Sequence, residues 1–346
     1  MSNPTVLVSG YGAFGARHAA AWSRLGANVL ISDPCANAKA RAEADGFAVD
    51  TISADLDAFL PLVDCVDIVT PPSTHLALTE QALAAGKPVL LEKPAVPNLD
   101  EAHALMDAQA RSGCLVHVNL ILRAHPMTTR AREVLRQGDL GDLILMEGRF
   151  CGWKRRHCDV ALEENDGVHF LDLMQLFAGA SITQIGAQAL GLPNHGDVDD
   201  LWLTTRHANS VAGRLALGSI VPGTGVDAFV PGAQTDKVLR LIGTTGCLTL
   251  DYNANRLTFQ AVHFERSARQ LDVTPSTSWN EAFPDATPDK LLENSAKAFL
   301  AATDGRAPPM VSLHDGALEL TRVLAAIPTA QQIASAAFVP IDRVTV

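Results

Sequence analysis

The sequence predicts an α/β protein with an N-terminal doubly wound parallel sheet over residues 1–122 and a C-terminal α+β domain over residues 123–346. In the first part, short apolar runs alternate with helical segments of about a dozen residues, which is typical of parallel strands joined by crossover helices. In the second part, strand candidates follow one another without helices between them, which indicates a mixed, largely antiparallel sheet. The length of 346 residues suits two domains.

The predicted elements of the first domain are apolar or β-branched runs separated by stretches of helix-forming residues. Strands are predicted at residues 5–8, 29–31, 66–69, 88–91 and 115–118. Helices are predicted at residues 13–25, 73–85 and 99–111. Right-handed crossovers between such strands produce the doubly wound arrangement.

The second domain has a different pattern, in which strands predominate between helices at its two ends. Helices are predicted at residues 126–137, 167–177, 290–302 and 313–333. Strands are predicted at residues 143–149, 201–206, 211–220, 238–242 and 247–251. Residues 222–236 are rich in Gly and Pro and are predicted to form a loop.

The composition restricts the class of protein. Hydrophobic residues make up 47% of the chain and charged residues 19%, which suits a packed core and excludes a disordered or collagen-like chain. No apolar run approaches the roughly 20 residues that cross a bilayer. The N-terminus lacks the basic segment of a signal peptide, so a cytoplasmic protein without a membrane partner is expected.

Charge and cysteine content exclude two further classes. The net charge of −11 argues against a nucleic-acid partner. The six cysteines include no Cys-x-x-Cys pair, which favours free buried thiols over a disulfide framework or a metal site. We therefore expect neither nucleic-acid binding nor a bound metal.

A glycine-rich motif, Gly10-Tyr-Gly12-Ala-Phe-Gly15, follows the first predicted strand and opens the first helix. Glycines at these positions allow a tight turn, close approach of a pyrophosphate to the backbone, and close packing of helix on strand. The helix N-terminus favours the anion. The motif predicts dinucleotide binding, with the loop contributing its glycines together with Ala13 and Phe14.

The identity of the dinucleotide is predicted from the end of the second strand. Asp33 lies 18 residues after Gly15, where a carboxylate accepts hydrogen bonds from ribose hydroxyls and repels a 2′-phosphate. The basic residues Lys39 and Arg41 lie farther along the chain, so NAD is preferred over NADP. The alternative is that Asp33 is only a turn residue before Pro34.

The strand candidate at residues 66–69 leads into Thr70-Pro71-Pro72, followed at a short interval by His75. Doubly wound folds place ligands at the carboxyl ends of strands, and prolines stiffen a loop there. These four residues are therefore predicted to line the cofactor. Ordinary helix initiation explains the same pattern and is compatible with that role.

A charged triplet, Glu92-Lys93-Pro94, ends an otherwise apolar strand. Placing Lys93 there is costly unless it has a partner or a task, and the proline makes a cis peptide bond possible. Here the chain resembles the family of glucose–fructose oxidoreductase and inositol dehydrogenase. The motifs that carry the resemblance are the glycine loop, this triplet, Asn119…Arg123…Pro126, Gly138-x-x-Gly141, Gly167-Val168-His169 and Gly243-Thr-x-Gly246.

The resemblance implies roles for particular residues. Lys93 is expected to contact the reacting substrate oxygen, and His169 to act as acid and base. Glu92 and Asn119 are expected near the cofactor, with Asn119 at the nicotinamide end, and Arg123 is expected to position the substrate.

One position departs from the family pattern. The family commonly has Asp four residues before the histidine, whereas this chain has Asn165. An amide hydrogen-bonds a sugar hydroxyl but relays no proton. Asp166, or Asp172 one turn later, is an alternative partner that orients the imidazole of His169, and helix capping is the structural alternative for Asn165 and Asp166.

A basic cluster, Trp153-Lys154-Arg155-Arg156-His157, stands out in an acidic protein. Arg155 and Arg156 are predicted to bind an anionic group of the substrate, and Trp153 to form an apolar wall against a sugar ring. The alternative is a solvated charge run paired with Glu163 and Glu164.

Together these residues predict an NAD-dependent dehydrogenase that acts on a hydroxyl of a sugar, sugar acid or cyclic polyol. Two alternatives are a non-catalytic sensor of NAD and sugar, which Asn165 favours, and a glycosidase that oxidises and re-reduces its substrate on held NAD. The resemblance also implies a homodimer or homotetramer.

Overall fold

The computed structural model describes residues 3–48, 51–154, 160–193 and 198–335. Its strands are β1 (Thr5–Ser9), β2 (Asn28–Ser32), β3 (Ile52–Ser53), β4 (Cys65–Ile68), β5 (Val89–Glu92), β6 (Val116–Asn119), β7 (Leu143–Trp153), β8 (Ile182–Leu190), β9 (Asp200–His207), β10 (Ala212–Gly218), β11 (Gly225–Val226), β12 (Gln234–Gly243), β13 (Gly246–Asp251), β14 (Arg256–Arg266) and β15 (Leu271–Ala282). Its helices are α1 (Ala13–Arg24), α2 (Ala36–Ala44), α3 (His75–Ala84), α4 (Leu99–Ser112), α5 (Pro126–Gln137), α6 (Val168–Ala178), α7 (Pro288–Thr303) and α8 (Leu320–Ser335).

The chain divides into two compact units. The first consists of Met1–His125 and Asp285–Arg322, and the second of Pro126–Pro284 and Val323–Val346. This division differs from the predicted domains 1–122 and 123–346, because a late segment that includes α7 joins the N-terminal unit.

In the first unit, β1 to β6 form one parallel sheet in the order β3-β2-β1-β4-β5-β6. The order reverses direction between β1 and β4, which creates the crevice where doubly wound folds bind ligands. Because all six described strands are parallel, the residues that follow β1, β2, β4, β5 and β6 all lie along one edge of this sheet.

Packing explains why α7 belongs to this unit. Phe299 is fully buried and contacts the rings of Trp22 on α1 and His117 on β6. Ala296, one turn earlier, joins the same core cluster. Phe299 lies 182 positions after His117 and 277 after Trp22 in the sequence, so periodicity alone does not reveal these contacts.

In the second unit, the described strands form a sheet in the order β15-β14-β13-β12-β7-β10-β9-β8, with β11 paired to β12. Strands β7 and β10 are parallel, and the other neighbours are antiparallel. The predicted fold class, a parallel doubly wound sheet followed by a mixed, largely antiparallel one, is therefore confirmed.

Helix α6 packs against the centre of this sheet over a strand position that has no side chain. A Cβ at Gly148 on β7 would lie 3.0 Å from Phe170 and 3.2 Å from Met174 on α6. The absence of a side chain at Gly148 therefore lets the helix approach the strand closely. The approach brings the first turn of α6 beside β7.

Several elements differ from the sequence predictions. Strands β8, β14 and β15, helix α2 and the short β3 were missed. Strand β15 carries Pro275 and mostly exposed polar residues, so it lacks the apolar alternation by which strands are recognised. The predicted loop 222–236 contains β11 and the start of β12. The last predicted helix begins with a π-helical turn, His314–Glu319, before α8.

The thiols match their prediction only in part. The cysteines within the described residues are free, and Cys65 and Cys151 are buried, but Cys35 is exposed and Cys114 and Cys247 are half-buried. Among the described helices, none is both long and apolar enough to cross a membrane.

Removal of the Phe299 ring tests the placement of α7. We expect Phe299→Ala to lower the free energy of unfolding by about 3–5 kcal/mol, because the ring leaves a cavity among residues that are already packed. The exposed Lys297 on the same helix is the matched control, and Lys297→Ala should change the value by less than about 0.5 kcal/mol. Urea denaturation measures both, and equal effects would contradict the assignment.

Candidate functional site

The glycine loop after β1 is built as the motif predicts. Gly10 has φ +94°, and a Cβ there would lie 2.6 Å from the carbonyl oxygen of Val69. A Cβ at Gly15 would lie 2.0 Å from the carbonyl oxygen of Gly10. Side chains at either position would therefore force the turn apart, and the two glycines hold α1 close against the sheet.

Gly12, unlike Gly10 and Gly15, has space beside it for a side chain. A Cβ there would meet no atom of the described residues within 4 Å. Gly12 is also the N-cap of α1 and has no side chain with which to cap the helix, so no capping side chain occupies the N–H groups of the first turn. A helix N-terminus with an open backbone approach fits the pyrophosphate of a dinucleotide. Ala13 is exposed and Phe14 half-buried in this first turn.

Asp33 lies directly after β2 and turns toward the glycine loop. Its Oδ2 accepts a hydrogen bond from the backbone N–H of Tyr11 at 2.6 Å, and its Oδ1 accepts one from Cys35 at 2.8 Å. Each carboxylate oxygen retains a second lone pair. The side chain is thereby held beside the glycine loop with acceptor capacity to spare.

Arg41 lies much closer to this loop than its position in the sequence suggests. Its guanidinium donates a hydrogen bond to the carbonyl oxygen of Tyr11, inside the glycine motif. The hydroxyl of Tyr11 in turn donates to Asp45 at 2.8 Å. Helix α2 was absent from the sequence prediction, and it is this helix that carries Arg41 back to the loop.

The segment after β4 supports the site through a buried histidine. His75 is fully buried; its Nε2 lies 2.8 Å from the carbonyl oxygen of Thr70, and its Nδ1 lies 3.0 Å from that of Ala95. Burial lowers the pKa of His75, against the effect of these carbonyls. The ring of His75 thus joins the loops after β4 and β5, and its predicted place beside the cofactor stays a prediction. Thr70, Pro71 and Pro72 remain at least partly exposed.

The end of β5 carries the predicted catalytic lysine beside a buried carboxylate. Glu92 is buried, and its Oε1 accepts a hydrogen bond from Asn119 Nδ2 at 2.5 Å. Its Oε2 accepts one from the backbone N–H of Lys93 at 3.1 Å, and the peptide bond between Lys93 and Pro94 is cis. Strand register explains the first contact, because Glu92 lies directly opposite Asn119. Ser295 on α7 donates to Asn119 Oδ1 at 2.6 Å.

Two residues that the sequence analysis did not single out complete this cluster. His18 on α1 lies between two carboxylates, with Nδ1 2.8 Å from Asp67 Oδ2 and Nε2 3.2 Å from Glu92 Oε1. Burial alone lowers the pKa of His18, but the charges and hydrogen bonds of Asp67 and Glu92 outweigh it and raise the pKa to about 10. Burial raises the pKa of Glu92, and His18, Lys93 and Asn119 more than reverse that shift. The sequence feature that indicates this cluster is Asp67, a charged residue inside the otherwise apolar strand β4.

Arg123 is held by the chain itself. Its Nη1 donates to the carbonyl oxygen of Met310 at 3.0 Å and lies 4.0 Å from Asp315. The side chain is 8% exposed, so any contact with a substrate would use only a small part of the guanidinium. Its predicted role in positioning the substrate remains a prediction.

In the second unit, a π-helical turn, Glu163–Gly167, leads directly into α6 and to His169. Such turns are frequent at functional sites because the extra residue re-aims the side chains that follow. The half-buried imidazole of His169 stacks on Phe150 of β7, with ring centroids 6.4 Å apart and an angle of 23°. Asn165 lies in the turn and donates to Asp166 Oδ1 at 3.1 Å.

Lys154 is turned inward rather than into solvent. Its Nζ lies 2.6 Å from Asp166 Oδ1, with both side chains buried, and 4.7 Å from the centre of the Phe150 ring. The alternative of pairing with Glu163 or Glu164 is wrong for Lys154.

Trp153 is exposed and donates its indole N–H to the carbonyl oxygen of Ile220. Arg155, Arg156 and His157 lie outside the described residues, so the anion-binding prediction stays a prediction.

A second buried lysine was missed. Lys237 on β12 lies opposite Phe150 in the sheet, and its Nζ is 2.8 Å from Asp227 and 5.0 Å from the Phe150 ring. Burial lowers the pKa of Lys237, and Asp227 opposes that shift. Burial raises the pKa of Asp227, but Lys237 brings it below its usual range overall. Nothing in the local sequence distinguishes this lysine from an exposed strand residue.

Comparison with known proteins identifies the first unit. The model of the family described as "Oxidoreductase family, NAD-binding Rossmann fold" matches residues 5–120. The family that these residues match is therefore the one that the motifs indicated.

Curated relatives match over part of their length. UDP-N-acetylglucosamine 3-dehydrogenase from Acidithiobacillus ferrooxidans is 33% identical over 168 residues, which are 48% of this chain and 52% of that protein. The protein named "scyllo-inositol 2-dehydrogenase (NAD(+))" from Bacillus subtilis is 28% identical over 222 residues, which are 60% of this chain and 64% of that protein. The matches thus span between about half and two thirds of these relatives.

Solved structures share the fold over most of the chain. The structure of UDP-N-acetylglucosamine 3-dehydrogenase from Acidithiobacillus ferrooxidans has a TM-score of 0.77 at 22% identity and covers 96% of this chain and 99% of that one. An oxidoreductase from Agrobacterium radiobacter, in complex with NAD+, L-tartaric acid and magnesium, has a TM-score of 0.79 at 19% identity, with 96% and 97% covered.

The charge on His18 predicts a pH dependence of stability. Folding raises the pKa of His18 from 6.5 to about 10. The stabilisation that the protonated ring gives to the folded state is therefore complete below pH 6.5 and is lost as the pH rises through 10. Relative to His18→Gln, the wild type should therefore lose about 1.4 kcal/mol of unfolding free energy per pH unit within that window. Urea denaturation across the window measures the difference, and parallel curves would contradict the assignment.

Proposed function

We propose that this protein is an NAD-dependent dehydrogenase that acts on a secondary or anomeric hydroxyl of a sugar, sugar acid or cyclic polyol. The observation that carries the proposal is the edge of the parallel sheet. The glycine loop follows β1, Asp33 follows β2, Thr70 follows β4, Lys93 follows β5, and Asn119 ends β6. A dinucleotide cradle and a lysine held beside a buried carboxylate therefore share one edge.

The chemistry requires two changes at a hydroxyl-bearing carbon. NAD, when bound, accepts the hydride that leaves the carbon. His169 takes the hydroxyl proton on an imidazole nitrogen, since an imidazole titrates near neutral pH. The ammonium of Lys93 stabilises the negative charge that develops on the oxygen. In the reverse direction His169 returns the proton.

The preference for NAD over NADP rests on Asp33. Its carboxylate is held by two backbone N–H groups beside the glycine loop. A 2′-phosphate approaching it would meet like charge, whereas ribose hydroxyls donate to it. Arg41 lies at the same loop but is engaged with the carbonyl oxygen of Tyr11, so Asp33 decides the preference.

The substrate class rests on the relatives and on the second unit. Relatives are named for a UDP-sugar, an inositol and D-apiose. Asn165, half-buried in the turn before α6, offers a polar contact for a substrate hydroxyl. Lys154 and Lys237 are each balanced by a carboxylate, so they add no net positive charge.

We also propose a homo-oligomer, as the resemblance implies.

Substitution of the two proposed chemical groups tests the reaction. We expect Lys93→Met and His169→Asn each to lower kcat by about 10²–10⁴-fold, because each removes a group that acts on the hydroxyl in the transition state. The dissociation constant of NAD should change little for His169→Asn. Absorbance of the reduced nicotinamide with a panel of neutral and acidic sugars and polyols measures the activity.

The same assay separates the proposal from its alternatives. Steady formation of NADH supports the dehydrogenase. Release of sugar product without net NADH would indicate the glycosidase instead. Binding of NAD and sugar with neither outcome would indicate the sensor.

Replacement of Asp33 tests the cofactor preference. We expect Asp33→Ser to shift the ratio of kcat/KM for NAD to that for NADP by at least about 10-fold toward NADP, because a repelling charge is removed while Arg41 stays nearby. The double variant Asp33→Ser/Arg41→Ala should lose most of the gained NADP activity. An unchanged ratio in the single variant would show that Asp33 does not select the cofactor.

A further inference from the structure

A histidine buried between two carboxylates is an unusual feature of the first unit. The ring of His18 is 2% exposed, and its two partners, Asp67 and Glu92, are 0% and 8% exposed. His18 lies three positions after Gly15, one turn into the helix that opens the proposed cofactor cradle. The proposed reaction uses neither His18 nor Asp67.

Both ring nitrogens of His18 face a carboxylate, Nδ1 at hydrogen-bond geometry and Nε2 at ion-pair distance. Nδ1 lies 2.8 Å from Asp67 and Nε2 lies 3.2 Å from Glu92, and a carboxylate accepts but does not donate when ionised. Only the imidazolium carries a proton on both nitrogens. Trp22 also donates its indole N–H to Asp67 Oδ2 at 2.6 Å, so the aspartate is anchored from a second direction.

The contact with Glu92 links His18 to the proposed site. Each oxygen of Glu92 has a further partner: Oε1 accepts from the Asn119 amide and Oε2 from the backbone N–H of Lys93. The carboxylate therefore has a single orientation that satisfies all three contacts. A rotation of Glu92 would release the end of β5, which carries Lys93, and the amide of Asn119 together.

From this arrangement we propose that His18 is a positioning residue: held between Asp67 and Glu92, it fixes the carboxylate of Glu92 and thereby the placement of Lys93 and Asn119. The inference rests on the proposed function. A residue that touches a reacting group without itself reacting affects the rate when it defines where that group lies. Small displacements of reacting groups lower the rate of the chemical step by large factors.

The test compares two replacements of His18. His18→Leu removes both contacts, and His18→Gln keeps amide donors for at least one carboxylate. We expect kcat to fall by about 10–100-fold in His18→Leu, with the dissociation constant of NAD within about threefold of the wild type. His18→Gln should recover a substantial part of that loss. If His18→Leu does not fold, Asp67→Asn/His18→Gln, which removes one buried carboxylate with the cation, takes its place.

His117 supplies the matched control. It is also a fully buried histidine of the first unit, on β6, and its ring packs on Phe299. His117→Leu should keep kcat within about threefold of the wild type, as expected for a core histidine outside the site. An equal loss of kcat in both leucine variants would overturn the positioning role and indicate a general effect on packing.

Two measurements on the protein without substrate keep the inference separate from the proposed function. Ring ¹⁵N shifts of labelled histidine should show His18 protonated on both nitrogens at pH 8. Hydrogen–deuterium exchange should rise by about tenfold or more in residues 89–95 and 118–119 of His18→Leu, with no such rise in residues 89–95 of His117→Leu.

The outcomes are distinct. If the wild type oxidises no sugar or polyol, the proposed function fails, while the shifts and the exchange still report on the network around Glu92. A neutral His18 at pH 8, unchanged exchange in those segments, or a folded His18→Leu with kcat within threefold of the wild type would overturn the inference.

Discussion

The charge of Glu92 is buried at the end of β5, and the arrangement of its neighbours follows from the need to balance it. A buried carboxylate is costly unless it is paired and hydrogen-bonded. Here His18 supplies charge, Asn119 supplies an amide donor, and the backbone of Lys93 supplies an N–H group. Because these partners come from α1, β6 and β5, the balancing of one charge ties three elements of the first unit together.

The second unit balances charge in the same manner around an aromatic ring. Lys154 pairs with Asp166, and Lys237 pairs with Asp227, and both ammonium groups lie within 5.0 Å of the centre of Phe150. The ring on which His169 stacks is thus bordered by two neutral ion pairs. Compensated charges in a low-dielectric setting keep their geometry, because separation of either pair would leave a buried charge exposed to apolar surroundings.

Local patterns predicted most of the first unit because its strands are buried on both faces and its turns require glycine. They failed where an element lacks an apolar pattern, as in the largely polar β15, or where an element is short, as in β3. They also did not reveal the partners of His75, since a histidine after such a loop has the same sequence context whether its ring faces a ligand or carbonyl oxygens of the chain.

The sequence by itself determined the dinucleotide motif, the acidic residue after β2, the Glu92-Lys93 pair, the histidine that opens α6, and the order of parallel and antiparallel sheets. Each of these depends on neighbours within a few positions or on alternation along a strand. Only the tertiary structure decided that His18 bridges Asp67 and Glu92, that Arg41 returns to the glycine loop, that Lys154 and Lys237 are buried, and that α7 joins the first unit. Such contacts join residues many positions apart, and burial and ion pairing become defined only when the sheets and helices have packed.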